Sequence, residues 1–227
     1  MKVGGFQKFS LIDYPNQISA VIFTQGCNLK CPYCHNPELL NPDQKSKFTE
    51  TEIFNFLSSR QNQLDAVVIT GGEPTLQKDL SVFIQKIKSL GFLVKLDTNG
   101  TKPKIIKNLL KHKLIDYLAM DIKGPLDKYS EITQSTIKLT DILQSIQLVK
   151  NCPDHEFRTT ITREQLSIAD IKQTSRLICG AKKYFLQNYT SQPNQKIIKN
   201  KFSSYSQANL LKIIKEIKPY FDHPAIR

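Results

Sequence analysis

An α/β fold is what this sequence predicts, on three observations. Short runs rich in β-branched residues recur along the chain. Segments with a helical apolar period lie between them. Polar, glycine-rich or metal-liganding residues follow these runs at the same end of every unit. Strands that alternate with helices imply a parallel sheet with helices packed outside it.

The runs at 18–24, 65–70, 92–97, 115–121, 156–161 and 182–187 read as buried strands. Between them, Leu80, Phe83, Ile84 and Ile87 fall at i, i+3, i+4 and i+7. Leu139, Ile142, Leu143 and Ile146 repeat that spacing, as do Leu210, Ile213, Ile214 and Ile217. Weaker helical patterns cover 51–59, 103–113 and 168–178, and Thr49 with Glu52 forms a capping-box signature for the first of these. Six β/α units make either an open doubly wound sheet or part of a TIM-like barrel. In both, ligands bind at the carboxyl ends of the strands.

Those ends carry QGCNLKCPYCHN, TGGEPT, DTNG, MDIK, FRTT and FLQNY in turn. One large site ringed by the strand ends is therefore expected. The 227 residues suit one domain, with 1–17 as an N-terminal extension, 18–190 as the core and 191–227 as a polar loop and C-terminal helix.

Composition narrows the function classes. With 40% hydrophobic and 23% charged residues, the chain is neither disordered nor collagen-like. No apolar stretch reaches the roughly 18 residues of a membrane span. MKVGGFQKF lacks the apolar core of a signal peptide, so a cytoplasmic protein is expected. In that reducing compartment the five cysteines are not a disulfide framework. The net charge is +12, but 27 of the 32 basic residues are lysine. Arginine is the usual reader of bases and phosphates, so Lys-rich solvated faces explain the charge better than nucleic-acid binding does.

Cys27, Cys31 and Cys34 form C-x3-C-x2-C, a loop able to wrap a metal centre. Structural zinc takes four protein ligands, and an ordinary cubane cluster takes four cysteines. Here only three are close, which leaves one metal position open for chemistry. His35 is the one neighbour that could complete a zinc site, but its adjacency to Cys34 strains that geometry. Cys152 and Cys179 sit at helix ends remote from the strand ends and read as ordinary thiols.

With Tyr33 before its last cysteine, this loop resembles the signature of the radical S-adenosylmethionine (SAM) superfamily. Gly71–Thr75, GGEPT, stands where that superfamily keeps its GGE motif. GFQKFSLIDYP and FTQGCNLKCPYCHNPELL resemble the activating enzymes of glycyl radical enzymes, nearest those of anaerobic ribonucleoside-triphosphate reductase. The likeness is strongest over 4–40 and extends to about residue 190. Asn16 departs from it, replacing a usual glycine with a residue that tolerates a left-handed turn.

The resemblance implies a partial (β/α)6 TIM-like barrel. It implies a [4Fe–4S] cluster on the three cysteines, with the methionyl amine and carboxylate of SAM on the fourth iron. Reductive cleavage of SAM would then yield a 5′-deoxyadenosyl radical. The GGE strand end, Gly71, Gly72 and Glu73, would hold the methionyl amine, and Lys123 the carboxylate. Asp97, Thr98 and Asp121 would surround a monovalent cation and the ribose, with Asn99 contacting the ribose or shaping that loop; a plain turn cap is the alternative for Asp97. Arg158 would partner SAM or those carboxylates unless it forms only a surface salt bridge. Gln187 and Asn188 would line the adenine side, and the backbone near Tyr33, His35 and Asn36 would read the adenine. His112, His155 and His223 carry no motif and are expected at the surface.

The partners so implied are a glycyl radical enzyme, as protein substrate, and flavodoxin or ferredoxin, as electron donor. Pyruvate formate-lyase and other glycyl radical enzymes use similar activases. Two other classes compete: a radical SAM enzyme acting on a small deazapurine precursor, and a non-enzymatic metal- or nucleic-acid-binding module.

Overall fold

The computed structural model describes residues 1–190, 202–221 and 223–227. Its strands are β1 (Val3–Ser10), β2 (Ser19–Thr24), β3 (Ala66–Gly71), β4 (Leu93–Thr98), β5 (Tyr117–Asp121), β6 (His155–Ile161), β7 (Lys183–Asn188) and β8 (His223–Ile226). The helices are α1 (Glu50–Ser59), α2 (Leu80–Ser89), α3 (Pro103–Lys111), α4 (Tyr129–Thr133), α5 (Leu139–Lys150), α6 (Ile168–Leu177) and α7 (Gln207–Ile217).

All eight strands form one sheet in chain order. β1 runs antiparallel to β2, and β2 through β8 are parallel neighbours. This is the partial α/β barrel expected, with one more parallel strand than predicted. Among the described residues β1 and β8 are its two edges and do not pair with each other.

Local sequence explains most elements. β2 (SAVIFT) and β3 (AVVITG) are β-branched runs buried on both faces, as parallel strands must be. α1 starts at the predicted capping box: Glu52 N–H donates to Thr49 Oγ1 at 3.2 Å, and Thr49 N–H donates to Glu52 Oε2 at 2.7 Å. A second box, Ser167 with Asp170, starts α6. α2 buries Leu80, Phe83, Ile84 and Ile87, the predicted stripe. α7 buries Leu210, Ile213 and Ile217 and packs on α6, as the last barrel helix. Most of the polar stretch 190–204 lies outside the described residues.

Side chains alternate across each strand, so the sheet has two faces of different character. Val94, Leu96, Leu118 and Phe157 point outward into the main core beneath the helices. Val21, Ala66, Val68 and Tyr117 point inward and form a small apolar floor. Tyr14, from the loop after β1, caps that floor with its ring 5.6 Å from Tyr117. The first seventeen residues are thus an edge strand and a plug, both integral to the barrel. Above the floor the lumen turns charged, because Lys95 and Asp97 on β4, and Glu156 and Arg158 on β6, share the inward face. No helix among the described residues is long and apolar enough to cross a membrane.

Candidate functional site

The cysteine loop follows β2 and is fastened from several sides. Gly26 N–H donates to Leu39 O at 2.8 Å, and Cys27 N–H to Leu40 O at 3.2 Å. The end of β3 holds it too: Gly72 N–H donates to Thr24 O at 2.9 Å, and Glu73 N–H to Gly26 O at 2.8 Å. This explains both glycines. Gly71 has φ +113°, and a Cβ there would lie 2.4 Å from Thr24 N; a Cβ on Gly72 would lie 2.2 Å from Gly26 O. The close approach they permit is between the chain's own strand ends.

One cavity at the carboxyl ends of the strands is lined by all but one of the site residues singled out from the sequence. They are Cys27, Cys31, Cys34, Tyr33, Gly71, Gly72, Glu73, Asp97, Thr98, Asn99, Asp121, Lys123, Arg158 and Gln187. His35 and Asn36 join them. Asn188 does not: its amide exchanges two hydrogen bonds with the Tyr205 backbone, at 2.9 and 3.1 Å, on the other face of β7. Leu29, Leu40, Thr70 and Thr160 also line the cavity and were not anticipated. Thr70 and Thr160 had a signal, since each lies two residues beyond an inward-facing residue, Val68 and Arg158.

Glu73 is 1% exposed and ties three strand ends together. Its Oε1 accepts from Thr75 N–H at 3.1 Å, from the Thr75 hydroxyl, and from Thr98 Oγ1 at 2.7 Å. Its Oε2 accepts from Asn99 N–H at 2.7 Å. Burial raises its carboxyl above the usual range, although these four donors pull the other way. Asn99 is also engaged by the chain: its Oδ1 accepts from Thr101 N–H at 3.0 Å, and its Nδ2 donates to Asn28 Oδ1 at 3.0 Å. Asn28 closes the loop by donating to Thr101 Oγ1 at 2.9 Å. These bonds make Glu73 and Asn99 the brace between the cysteine loop, β3 and β4.

Asp97 is no turn cap. It points into the lumen, with Oδ2 3.0 Å from Arg158 Nη1 and Oδ1 3.1 Å from Lys95 Nζ. Asp121 Oδ1 lies 2.9 Å from Arg158 Nε, and its Oδ2 lies 3.0 Å from Lys123 Nζ. Burial alone would raise both aspartates, but the Arg158 charge outweighs it, with Lys95 or Lys123, and holds both below the usual carboxylate range. Arg158 is therefore a lumen residue, its side chain 12% exposed.

Burial pushes the Cys27 thiol up to about 12 and raises Cys31 and Cys34. Lys123 pulls all three back toward the thiolate. Loading a metal centre must therefore displace protons from these sulfurs. The Tyr33 hydroxyl lies buried by the Cys31 thiol, short of hydrogen-bonding geometry. Burial, followed by Lys123, lowers His35 below its ordinary value, with Asp121 opposing. His155 corrects the sequence expectation of a surface residue: it is 3% exposed, with Nδ1 2.8 Å from Cys152 O. Cys152 is buried at that same floor end, and Cys179 is exposed.

The three thiols share a wall without meeting at one point. Among the described residues, no three His, Cys, Asp or Glu side chains are gathered closely enough to hold a single metal ion. Three cysteines on one loop suit a polynuclear cluster, in which each thiolate takes a different metal atom. The rest of the lining is mostly charged and polar, the setting a zwitterionic nucleoside ligand needs.

Fold and site together define a barrel enzyme built to hold a cysteine-ligated cofactor at its strand ends. The family model described as the radical SAM superfamily matches residues 21–164. The chain belongs to that superfamily and is a radical SAM enzyme. It is 37% identical to a Methanocaldococcus jannaschii protein named as a glycyl-radical enzyme activating enzyme, over 99% of this chain and 95% of that one. It is also 37% identical to a 7-carboxy-7-deazaguanine synthase of Aquifex aeolicus, over 53% of this chain and 60% of that one. Among solved structures, Streptococcus suis SuiB bound to SAM superposes with a TM-score of 0.70, covering 90% of this chain and 49% of that chain. At 18% identity that likeness bears on the fold. Membership implies a [4Fe–4S] cluster and SAM as cofactors, and the three-cysteine loop and polar lining fit both.

Proposed function

We propose that this chain is a glycyl-radical enzyme activating enzyme, most simply the activase of an anaerobic ribonucleoside-triphosphate reductase. The observation that carries the activase reading is the end-to-end likeness to a protein named as an activating enzyme, 37% over 99% of the chain; the reductase as partner rests on the sequence resemblance alone. When bound, the cluster and SAM supply an electron and a 5′-deoxyadenosyl radical able to take a hydrogen atom from glycine. Cys27, Cys31 and Cys34 would hold the cluster, with Tyr33 packed behind Cys31. The brace of Glu73 and Asn99 would keep that loop at a fixed distance from β4. Lys123, already 3.0 Å from Asp121, would meet the carboxylate of SAM, and Gln187 its adenine side. Among the described residues the sheet ends at β1 and β8 without closing, a side through which a loop of a protein substrate would enter. Flavodoxin or ferredoxin would deliver the electron.

The test is paramagnetic resonance of the anaerobically reconstituted, reduced chain, with and without SAM, and then with the reductase. A cluster signal that changes with SAM, followed by a glycyl radical on the reductase, supports the reading. An unaltered cluster signal, or 5′-deoxyadenosine formed only with a deazapurine precursor, overturns it. The likeness to the deazaguanine synthase makes that second substrate the proper control.

A further inference from the structure

Asp97 and Asp121 face one space from neighbouring strands, and two carboxylates so placed require positive charge between them. The family resemblance assigns that place to a monovalent cation. The structure fills it with Arg158: Nε reaches Asp121 Oδ1 at 2.9 Å, and Nη1 reaches Asp97 Oδ2 at 3.0 Å. The two remaining carboxylate oxygens also face cations of the chain. Asp97 Oδ1 is 3.1 Å from Lys95 Nζ, and Asp121 Oδ2 is 3.0 Å from Lys123 Nζ.

Strand register makes this reach possible. Arg158 lies directly opposite Asp121. Ala119 stands opposite Asp97 on one side and Glu156 on the other, and its small side chain leaves the guanidinium room to cross β5. A guanidinium is the cation for this task, because its planar fork meets two acceptors at once. Below it, Glu156 Oε1 lies 3.8 Å from both Lys95 Nζ and Arg158 Nη1, and Glu156 Oε2 accepts from Tyr117 Oη at 2.9 Å. Three carboxylates, Asp97, Asp121 and Glu156, thus stand against Lys95, Lys123 and Arg158. Arg227 Nη1 adds a fourth cation at the margin, 3.5 Å from Glu156 Oε1. By charge these cations balance the three carboxylates, although Asp97 Oδ1 and Glu156 Oε1 accept no hydrogen bond.

We propose that the Arg158 guanidinium takes the place of the monovalent cation in this chain, so that SAM binds equally well with or without sodium or potassium. The inference rests on the proposed reading of this cavity as the SAM site. Arg158 is then a positioning residue, setting the two carboxylates that SAM would meet.

The experiment is equilibrium dialysis of SAM against the full, cluster-loaded chain in potassium, sodium or choline chloride at one ionic strength. Dissociation constants should agree within about twofold across the three salts. Arg158→Ala should bind at least about tenfold more weakly in choline, and potassium should restore much of that loss by entering the emptied place. Arg158→Lys, which keeps the charge but not the fork, should bind more weakly than wild type and more tightly than Arg158→Ala in choline. Tighter wild-type binding in potassium than in choline, by about tenfold, would overturn the proposal, and this comparison needs no variant. An Arg158→Ala loss that potassium leaves untouched overturns it as well. Iron-replete protein that binds no SAM in any salt overturns the site reading itself, an outcome distinct from any ion response.

Discussion

Gly72→Ala tests whether the β3 end is a strut for the cysteine loop. The added Cβ would lie 2.2 Å from Gly26 O, 2.7 Å from Gly26 C and 3.1 Å from Leu39 O, all backbone atoms. Ordinary carbon–oxygen contact begins near about 3.3 Å, so Gly26 must retreat by roughly 1 Å. That retreat stretches the 2.8 Å bond from Glu73 N–H to Gly26 O beyond hydrogen-bonding range. Overpacking costs about 1–3 kcal/mol and a buried donor left unmade about 1–3 kcal/mol more. A combined loss near 3 kcal/mol lowers the unfolding midpoint of a domain this size by roughly 6–12 °C. Gly26 precedes Cys27, so cluster assembly should suffer too. The assays are thermal unfolding of the iron-free chain by circular dichroism, and iron and sulfide content after reconstitution. Gly91→Ala is the control. Nothing lies within 4 Å of its Cβ position, but its φ of +90° costs about 1–2 kcal/mol. It should lower the midpoint and leave iron content whole. A Gly72→Ala protein with wild-type midpoint and full iron would refute the strut, as would equal iron loss in the control.

Three further outcomes are expected. Cys31→Ala should lose iron and SAM cleavage together, whereas Cys152→Ala and Cys179→Ala should keep both; iron analysis that shows otherwise would reveal a ligand outside the loop. Glu73→Ala should orphan four donors and cost about 3 kcal/mol or more, read as a midpoint drop of roughly 6 °C or greater, while Glu73→Gln loses less. Asp97 and Asp121 are held below the ordinary aspartate value of 3.8, so the unfolded chain takes up their protons first as pH falls. The stability they lend is complete above that value and is lost below it. Unfolding midpoints should fall more steeply below about pH 4 in wild type than in Asp121→Asn, and identical acid limbs would contradict this.

The strands and helices that sequence reasoning found share one property: their apolar pattern is generated by burial against the sheet or the helices. Each of the six predicted strands begins within two residues of its observed start, because burial of the helix-facing side leaves a β-branched apolar signal even where the lumen side carries charge. β1 and β8 escape that rule. β1 is an edge strand with exposed Gln7 and Lys8, and β8 is four residues long and contains Pro224. The site residues were legible because their motifs lie at strand ends. The bracing bonds of Glu73 and Asn99 were not legible, since the donors and acceptors that meet them come from other units of the chain. Lys95 and Glu156 were passed over because a charge inside a strand gives no sign of its counterpart. Only the register shows that Ala119 lies between Asp97 and Glu156.

The gap between the edge strands β1 and β8 among the described residues also divides the molecule by rate of exchange with solvent. Amides of an edge strand lack a partner on one side and open at lower free energy than those of central strands. β3 through β6, each hydrogen-bonded on both sides, should keep their deuterium longest, and they carry Asp97, Asp121 and Arg158. β1 and β8 should exchange first, together with the turn that exposes Phe9, Leu11 and Ile12. A barrel with this gap therefore couples a slow-exchanging floor and rim to a fast-exchanging doorway. Protection at β1 and β8 would report a protein guest in the opening before any chemistry occurred.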